Sequence, residues 1–313
     1  MVAEAEHASI PFSNRGALSY SQPQADMSWL SRGCVYRLVS GCHGVSRVER
    51  KVVIVLIRAK DFRHFKLRAL DGDIGKAREF YFDDRHWTVR YLVADTGGWL
   101  TGRQVLISPH ALGSANESER VVPVALTKRQ IEQSPSLATD QPVSRQYENH
   151  YYDYYGWPMY WNGPFIWGAS QYPWDNNPLS MLDPKARDAA ARREDAWDPN
   201  LCSTRDVTGH HIQAMDGEIG HVEDFIIDDR TWSIRYLVVD TKNWLSGRRV
   251  LVSPQWIGRL SWEESKVFVS LSCELIRQAP EYRPESLNRD YETELHHHYD
   301  RQGYWSDSFL AQK

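Results

Sequence analysis

Few side chains in this sequence stand in patterns that could do chemistry. Asp83 and Asp84, followed by Arg85, recur as Asp228, Asp229 and Arg230. Neighbouring carboxylates can share general acid and base work. Asp in a turn, however, also caps nearby backbone N–H groups, and this structural role is the one expected here. The same reading covers Asp95-Thr96 and Asp240-Thr241. Arg90 and Arg235 sit at matching places in apolar segments. On an alternating strand Val89, Tyr91 and Val93 share one face, and Arg90 and Leu92 the other. Such an arginine can pair with a turn aspartate, cover apolar surface with its stem, or bind a ligand; the first two are favoured.

Metal and nucleophile chemistry is weaker still. Cys34, Cys42 and His43 lack the spacing and the further partners of a zinc site. His296, His297 and His298 are adjacent, so they cannot comfortably share one ion, and a solvated tail is expected. His210 and His211 show no carboxylate or cysteine at ligand spacing. Gly72-Asp-Ile-Gly75 is too short for a phosphate loop and lacks its Gly-Lys-Ser/Thr end. The serines before Pro109 and Pro254 lie outside any G-x-S-x-G elbow. No catalytic, cofactor-binding or metal residue is predicted, no cofactor is implied, and an enzyme is not expected.

The elements that hold these residues come from a duplication. LRALDGDIGKAREFYFDDRHWTVRYLVADTGGWLTGRQVLISP, from Leu67, is answered without a gap by IQAMDGEIGHVEDFIIDDRTWSIRYLVVDTKNWLSGRRVLVSP, from Ile212, with about 24 of 43 positions identical. The match continues weakly into Val121–Ser134 against Lys266–Ala279. It resumes where Ser144-Arg-Gln-Tyr-Glu148 answers Asn288-Arg-Asp-Tyr-Glu292.

Each copy is mostly β in pattern. Asp71-Gly72 and Asp216-Gly217 mark tight turns, in which glycine permits positive φ. The Asp-Asp-Arg turn joins two apolar strands into a hairpin, the second being WTVRYLV or WSIRYLVV. Gly72, Gly75, Gly217 and Gly220 are expected to shape turns, and Trp87 and Trp232 to fill cores. Two further strands follow, then a short helix at Thr127–Gln133 or Cys273–Gln278. Four or five short strands in so little chain predict a small barrel or rolled sheet. The two are expected to pack as a pseudo-twofold pair.

These motifs resemble the PRC-barrel family: Asp71-Gly-x-Ile74-Gly75, the strand–DDR–strand hairpin, the R-Y-L-V-x-D-T strand from Arg90 and Arg235, and the closing Ser-Pro. The resemblance implies an all-β chain of two tandem PRC-type barrels, each followed by a short helix, with an aromatic-rich linker. The family occurs in the cytoplasmic domain of the photosynthetic reaction-centre H subunit and in the C-terminal domain of a small-subunit ribosome maturation factor. It implies a protein-binding or assembly module.

The expected layout is a disordered extension at 1–54, barrel repeats at 55–135 and 201–280, an aromatic arm plus linker helix at 136–200, and a C-terminal arm at 281–313. The extension lacks a counterpart in the duplication, and a downstream start of translation is an open reading. Between the repeats, Tyr147–Trp174 carries about 12 aromatic residues in 28 and no Lys or Arg; its Gly and Pro content speaks against a regular helix. It is open to three readings, in order: packing on the barrels or a second chain, docking of a partner protein, and stacking on sugars or single-stranded bases. The shorter stretch Tyr291–Trp305 echoes it. Met181–Asp198 reads as an exposed helix.

The chain has 313 residues, 37 Lys+Arg against 41 Asp+Glu, and a formal net charge of −4. That balance argues against coating nucleic acid. Four cysteines make no disulfide framework, and no apolar run approaches a membrane span of about 20 residues. A soluble, cytoplasmic, non-catalytic scaffold follows, with an unidentified protein partner and homo-oligomerisation or a peripheral membrane complex left open. The alternatives are an RNA- or ribosome-associated assembly factor and a reaction-centre H-subunit-like role.

Overall fold

The computed structural model describes residues 35–36, 50–51, 55–101, 103–138, 142–163, 165–175, 201–241 and 247–306. The chain divides into two units, Met1–Lys51 and Val52–Lys313. In the first unit the strands β1 (Val35–Tyr36) and β2 (Arg50–Lys51) pair antiparallel. Most of the expected disordered extension, with Cys34, Cys42 and His43, and the expected helix at Met181–Asp198 lie outside the described residues.

The second unit is all-β in character, with two seven-stranded sheets and a few short helices. The first sheet is built on β4 (Lys66–Ala69), β5 (Gly72–Asp83), β6 (Thr88–Asp95), β7 (Arg103–Ile107) and β8 (Val121–Pro123). A two-residue strand, β9 (Leu137–Ala138), pairs with β7. The second sheet repeats the plan with β11 (His211–Ala214), β12 (Gly217–Asp228), β13 (Ile234–Asp240), β14 (Arg249–Val252), β15 (Ile257–Ser261) and β16 (Lys266–Val269). In each, the long strand (β5 or β12) follows the Asp-Gly turn and pairs antiparallel with the strand after the Asp-Asp-Arg turn. The first strand also pairs parallel with a later one, β4 with β8 and β11 with β16, which folds the sheet back on itself into a barrel-like body.

The seventh strand of each sheet comes from the other repeat. β3 (Leu56–Arg58) leads into the first repeat yet pairs with β12, Ile57 facing Ile227. β10 (Leu201–Ser203) leads into the second repeat yet pairs with β5, Cys202 facing Phe82. One helical turn after each, α1 (Ala59–Phe62) and α4 (Thr204–Val207), carries the chain back to its own sheet. At the centre the two hairpin turns bond reciprocally: Val89 N donates to Trp232 O (2.8 Å) and Ile234 N to Trp87 O (2.7 Å). The expected pseudo-twofold pairing is therefore an interlock, and the buried apolar residues of both repeats form one continuous cluster.

Trp87 and Trp232 are buried, as expected, and both hold positive φ, 51° and 58°. Trp232 packs beside Phe62 and Phe80, at ring distances of 6.0 and 6.3 Å, so its indole fills space among residues of the first repeat. Among the four glycines, Gly72, Gly75 and Gly220 have positive φ, whereas Gly217 does not. The tightest are Gly75 and Gly220: a Cβ there would lie 2.0 Å from Asp95 O and 2.2 Å from Asp240 O. The turn role expected of Gly217 thus does not depend on left-handed backbone.

Each barrel closes with a short helix, as expected: α2 (Lys128–Glu132), capped by Thr127, and α5 (Cys273–Arg277), capped by Ser272. Each then continues into an arm. The first arm begins with the 11-residue helix α3 (Arg145–Tyr155), capped by Ser144 and ended by Gly156 at φ 68°. The absence of a regular helix expected for Tyr147–Trp174 is thus corrected over its first third, because the helix-breaking Gly and Pro residues begin only at Gly156. The second arm has the matching helix α6 (Arg289–His298), capped by Asn288. Among the described residues no helix is long and apolar enough to cross a membrane.

Candidate functional site

The polar residues of the duplicated hairpin meet the arms. Asp83 ends β5 and is fully buried; its carboxylate accepts from His86 N at 2.6 Å and from Arg90 Nε at 2.8 Å. Burial opposes the charge on Asp83, yet the adjacent Arg90 guanidinium and His86 bring its pKa down to about 2. In the second copy Asp228 receives Arg230 N (2.9 Å), Thr231 N (3.2 Å) and Arg235 Nε (3.0 Å). The first aspartate of the turn therefore caps backbone and neutralises an arginine, the structural role expected. Asp95 accepts from Gly97 N at 3.0 Å, and Thr241 Oγ1 donates to Arg248 O at 2.8 Å, each closing a strand end.

Arg90 is 1% exposed. Its guanidinium lies 3.9 Å from the Tyr160 ring centroid and 4.8 Å from that of Trp167, and donates to Ile166 O at 2.5 Å. Arg235 lies over Tyr304 at 4.0 Å. The strict alternation expected of β6 breaks at Arg90, which sits in a bulge between Val89 (opposite Phe82) and Tyr91 (opposite Tyr81), so that Arg90 and Tyr91 both contact the arm and β6 is buried from Thr88 to Ala94. The cation is enclosed by aromatic faces and a carboxylate, which together offset its desolvation.

Below it lies a second polar centre. Glu148 of α3 is 2% exposed and accepts from Tyr91 Oη (3.0 Å) and Tyr160 Oη (2.9 Å), with Arg145 Nη1 at 3.0 Å. Glu292 of α6 is 2% exposed and accepts from Tyr236 Oη (3.0 Å) and Tyr304 Oη (2.9 Å), with Arg289 Nη1 at 3.0 Å. Burial pushes both carboxyls up, against the pull of Arg145 or Arg289. Sequence reasoning assigned these glutamates no role. The signal was present in the match of Ser144–Glu148 to Asn288–Glu292, which repeats the arginine three residues before each glutamate.

Of the three adjacent histidines, only His297 is exposed as expected. His296 is not on a solvated tail: it is 3% exposed, with Nε2 3.0 Å from Tyr236 Oη and Nδ1 3.1 Å from Gln302 O, and burial pushes its pKa down to about 4. His298 Nε2 contacts Leu275 O at 2.8 Å. His211 does find a carboxylate, Glu218 at 2.7 Å, through the hairpin register rather than through sequence spacing. His210 packs edge-on to Trp262 at 5.4 Å. Among the described residues no group of three His, Cys, Asp or Glu side chains is placed to hold a metal ion.

Chemically, these centres fix the arms to the sheets. The surface offers something different. The large apolar side chains most exposed are Met215 (72%) and Leu70 (60%), which hold equivalent positions before the two Asp-Gly turns. Each turn is tied to the start of the closing helix, Asp71 Oδ1 accepting from Lys128 N at 2.8 Å and Asp216 Oδ1 from Cys273 N at 2.7 Å. Tyr154 and Trp174 of the arm are each 41% exposed.

The PRC-barrel domain family profile matches residues 204–269, which lie within the second repeat. No curated protein matches the chain.

Proposed function

We propose that the protein is a non-catalytic assembly scaffold made of two PRC-barrel modules, the first being a diverged twin of the matched second, and that its ligand is another protein. One observation carries this reading. The buried polar groups at the hairpins hold the arms, while equivalent apolar side chains, Leu70 and Met215, are exposed beside turns that are hydrogen-bonded to the closing helices on both repeats. Exposed apolar residues on pre-ordered backbone bind proteins at low entropic cost. The net charge of −4 supports a protein ligand over a nucleic acid.

The test is affinity capture from native cells with wild-type chain and with the Leu70→Ser/Met215→Ser double variant. A partner retained by the wild type and lost by an equally stable variant is expected. Identical capture by both would refute the assignment of this surface. Salt-sensitive recovery of RNA in place of protein would refute the scaffold reading itself.

A further inference from the structure

The two strand-exchange junctions share a plan and differ in charge. At the first, β10 and α4 dock on β5. Glu79 of β5, 4% exposed, receives the Ser203 hydroxyl and has Arg78 Nε at 3.4 Å and Arg205 Nη1 at 3.7 Å. Thr204 Oγ1 accepts from Phe80 N at 3.1 Å. Glu79 here has two cations beside it, and Asp84, the counterpart of Asp229, lies near Cys202 of β10.

At the second junction, β3 and α1 dock on β12. Asp224 takes the place of Glu79 and is also 4% exposed. Its Oδ1 accepts from Lys60 N at 3.1 Å, capping α1, and from Phe225 N at 2.8 Å, whereas Oδ2 is buried without a hydrogen-bond partner. Asp229 Oδ1 accepts from Val55 N at 3.1 Å, at the start of the exchanged strand. The neighbouring charges are committed elsewhere. Arg58 of β3 is held by Asp61 through two bonds of 2.7 Å. Lys60 Nζ (3.4 Å) and Arg249 Nε of β14 (2.5 Å) both go to Glu223. Arg235 is bound by Asp228, and Arg230 lies over Tyr172 and Trp174 at 5.5 and 5.7 Å. The Tyr282 phenol is the remaining titratable group near Asp224, and Asp228 the one beside Asp229. Among the described residues, no cation forms an ion pair with Asp224 or Asp229.

We infer that the β3–α1 latch is an acid-tightened closure and the weaker of the two, so that in neutral solution the β12 edge is the first part of the interlock to open. Burial pushes Asp224 and Asp229 each up to about 6 from 3.8. A carboxyl whose folded value is raised adds stability below its ordinary value, and that stability is lost as the pH rises toward the folded value. The latch therefore loosens between about pH 4 and pH 6, the opened state being free to ionise.

Hydrogen exchange on the full-length chain, corrected for intrinsic rate, tests this. Protection of residues 56–62 should fall about tenfold or more from pH 4 to pH 6.5, while residues 201–207 change much less. In Asp224→Asn/Asp229→Asn, which keeps an oxygen acceptor at both sites, the fall should disappear. Parallel behaviour of the two latches in the wild type would overturn the inference, and so would an unaltered pH profile in the variant. Should the double variant not fold, the wild-type comparison of the two latches decides alone.

Discussion

Arg90 and Asp83 show how one pair can be costly and still required. Both are fully enclosed, and neither would be tolerated without the other. Arg90→Ala leaves the Asp83 carboxylate buried beside a void, and should cost about 3–5 kcal/mol in denaturant unfolding. The depressed pKa of Asp83 adds stability above the ordinary carboxylate range. That contribution is lost as the pH falls through about 2, so the pair supports the fold through mild acid. The glycines make a sharper residue-scale test. Gly75→Ala and Gly220→Ala drive a methyl into a carbonyl oxygen and should each cost about 2–3 kcal/mol or more, whereas Gly217→Ala should stay within about 1 kcal/mol. Equal melting temperatures for Gly220→Ala and Gly217→Ala would contradict the geometry. All four glycines were visible in the sequence as turn residues. Which of them tolerate no Cβ was not, because that depends on Asp95 and Asp240 approaching across the sheet.

At the scale of elements, each arm buries one glutamate against its sheet, beside the arginine that its rings cover. Glu148→Ala strands the hydroxyls of Tyr91 and Tyr160 in the interior, at about 1–3 kcal/mol for each group left without a partner. The expected result is loss of near-ultraviolet circular dichroism from the ordered Tyr and Trp rings, with the far-ultraviolet β signal retained. Intact near-ultraviolet signal would show that the arm is held by its aromatic packing alone. The hairpins, the closing helices and the presence of a second arm were all legible, since each rests on local propensity, capping or repetition. The helix in the first arm was obscured by composition: the Gly-Pro-rich stretch after Gly156 coloured the reading of Arg145–Tyr155. The destination of the arm was illegible as well, because Glu148 and Tyr91 are 57 residues apart in sequence and meet only in the folded chain.

For the whole molecule, the exchanged strands decide cooperativity. Each half supplies three residues of strand and one helical turn to the other, so the halves cannot separate without breaking both sheets. A full-length chain cleaved once between residues 175 and 201 should still migrate as a single species in size exclusion and come apart only in denaturant. Separation in plain buffer would rule out the exchange. Nothing in the amino-acid pattern announced this arrangement. Leu56–Arg58 and Leu201–Ser203 pair through backbone ladders, which carry no residue-specific address, the polar side chains that fasten them come from distant parts of the sequence, and three residues are too few to show a period.

The pairing of Leu201 with Asp83 also bears on synthesis. A ribosome that has completed β5 must translate through the whole arm and the following segment before β10 exists. At elongation speeds of about 5–20 residues per second, that wait lasts on the order of ten seconds. During that interval the nascent first half exposes an unsatisfied strand margin to whatever else is in the cell, which makes it the stage at which a chaperone has most to do.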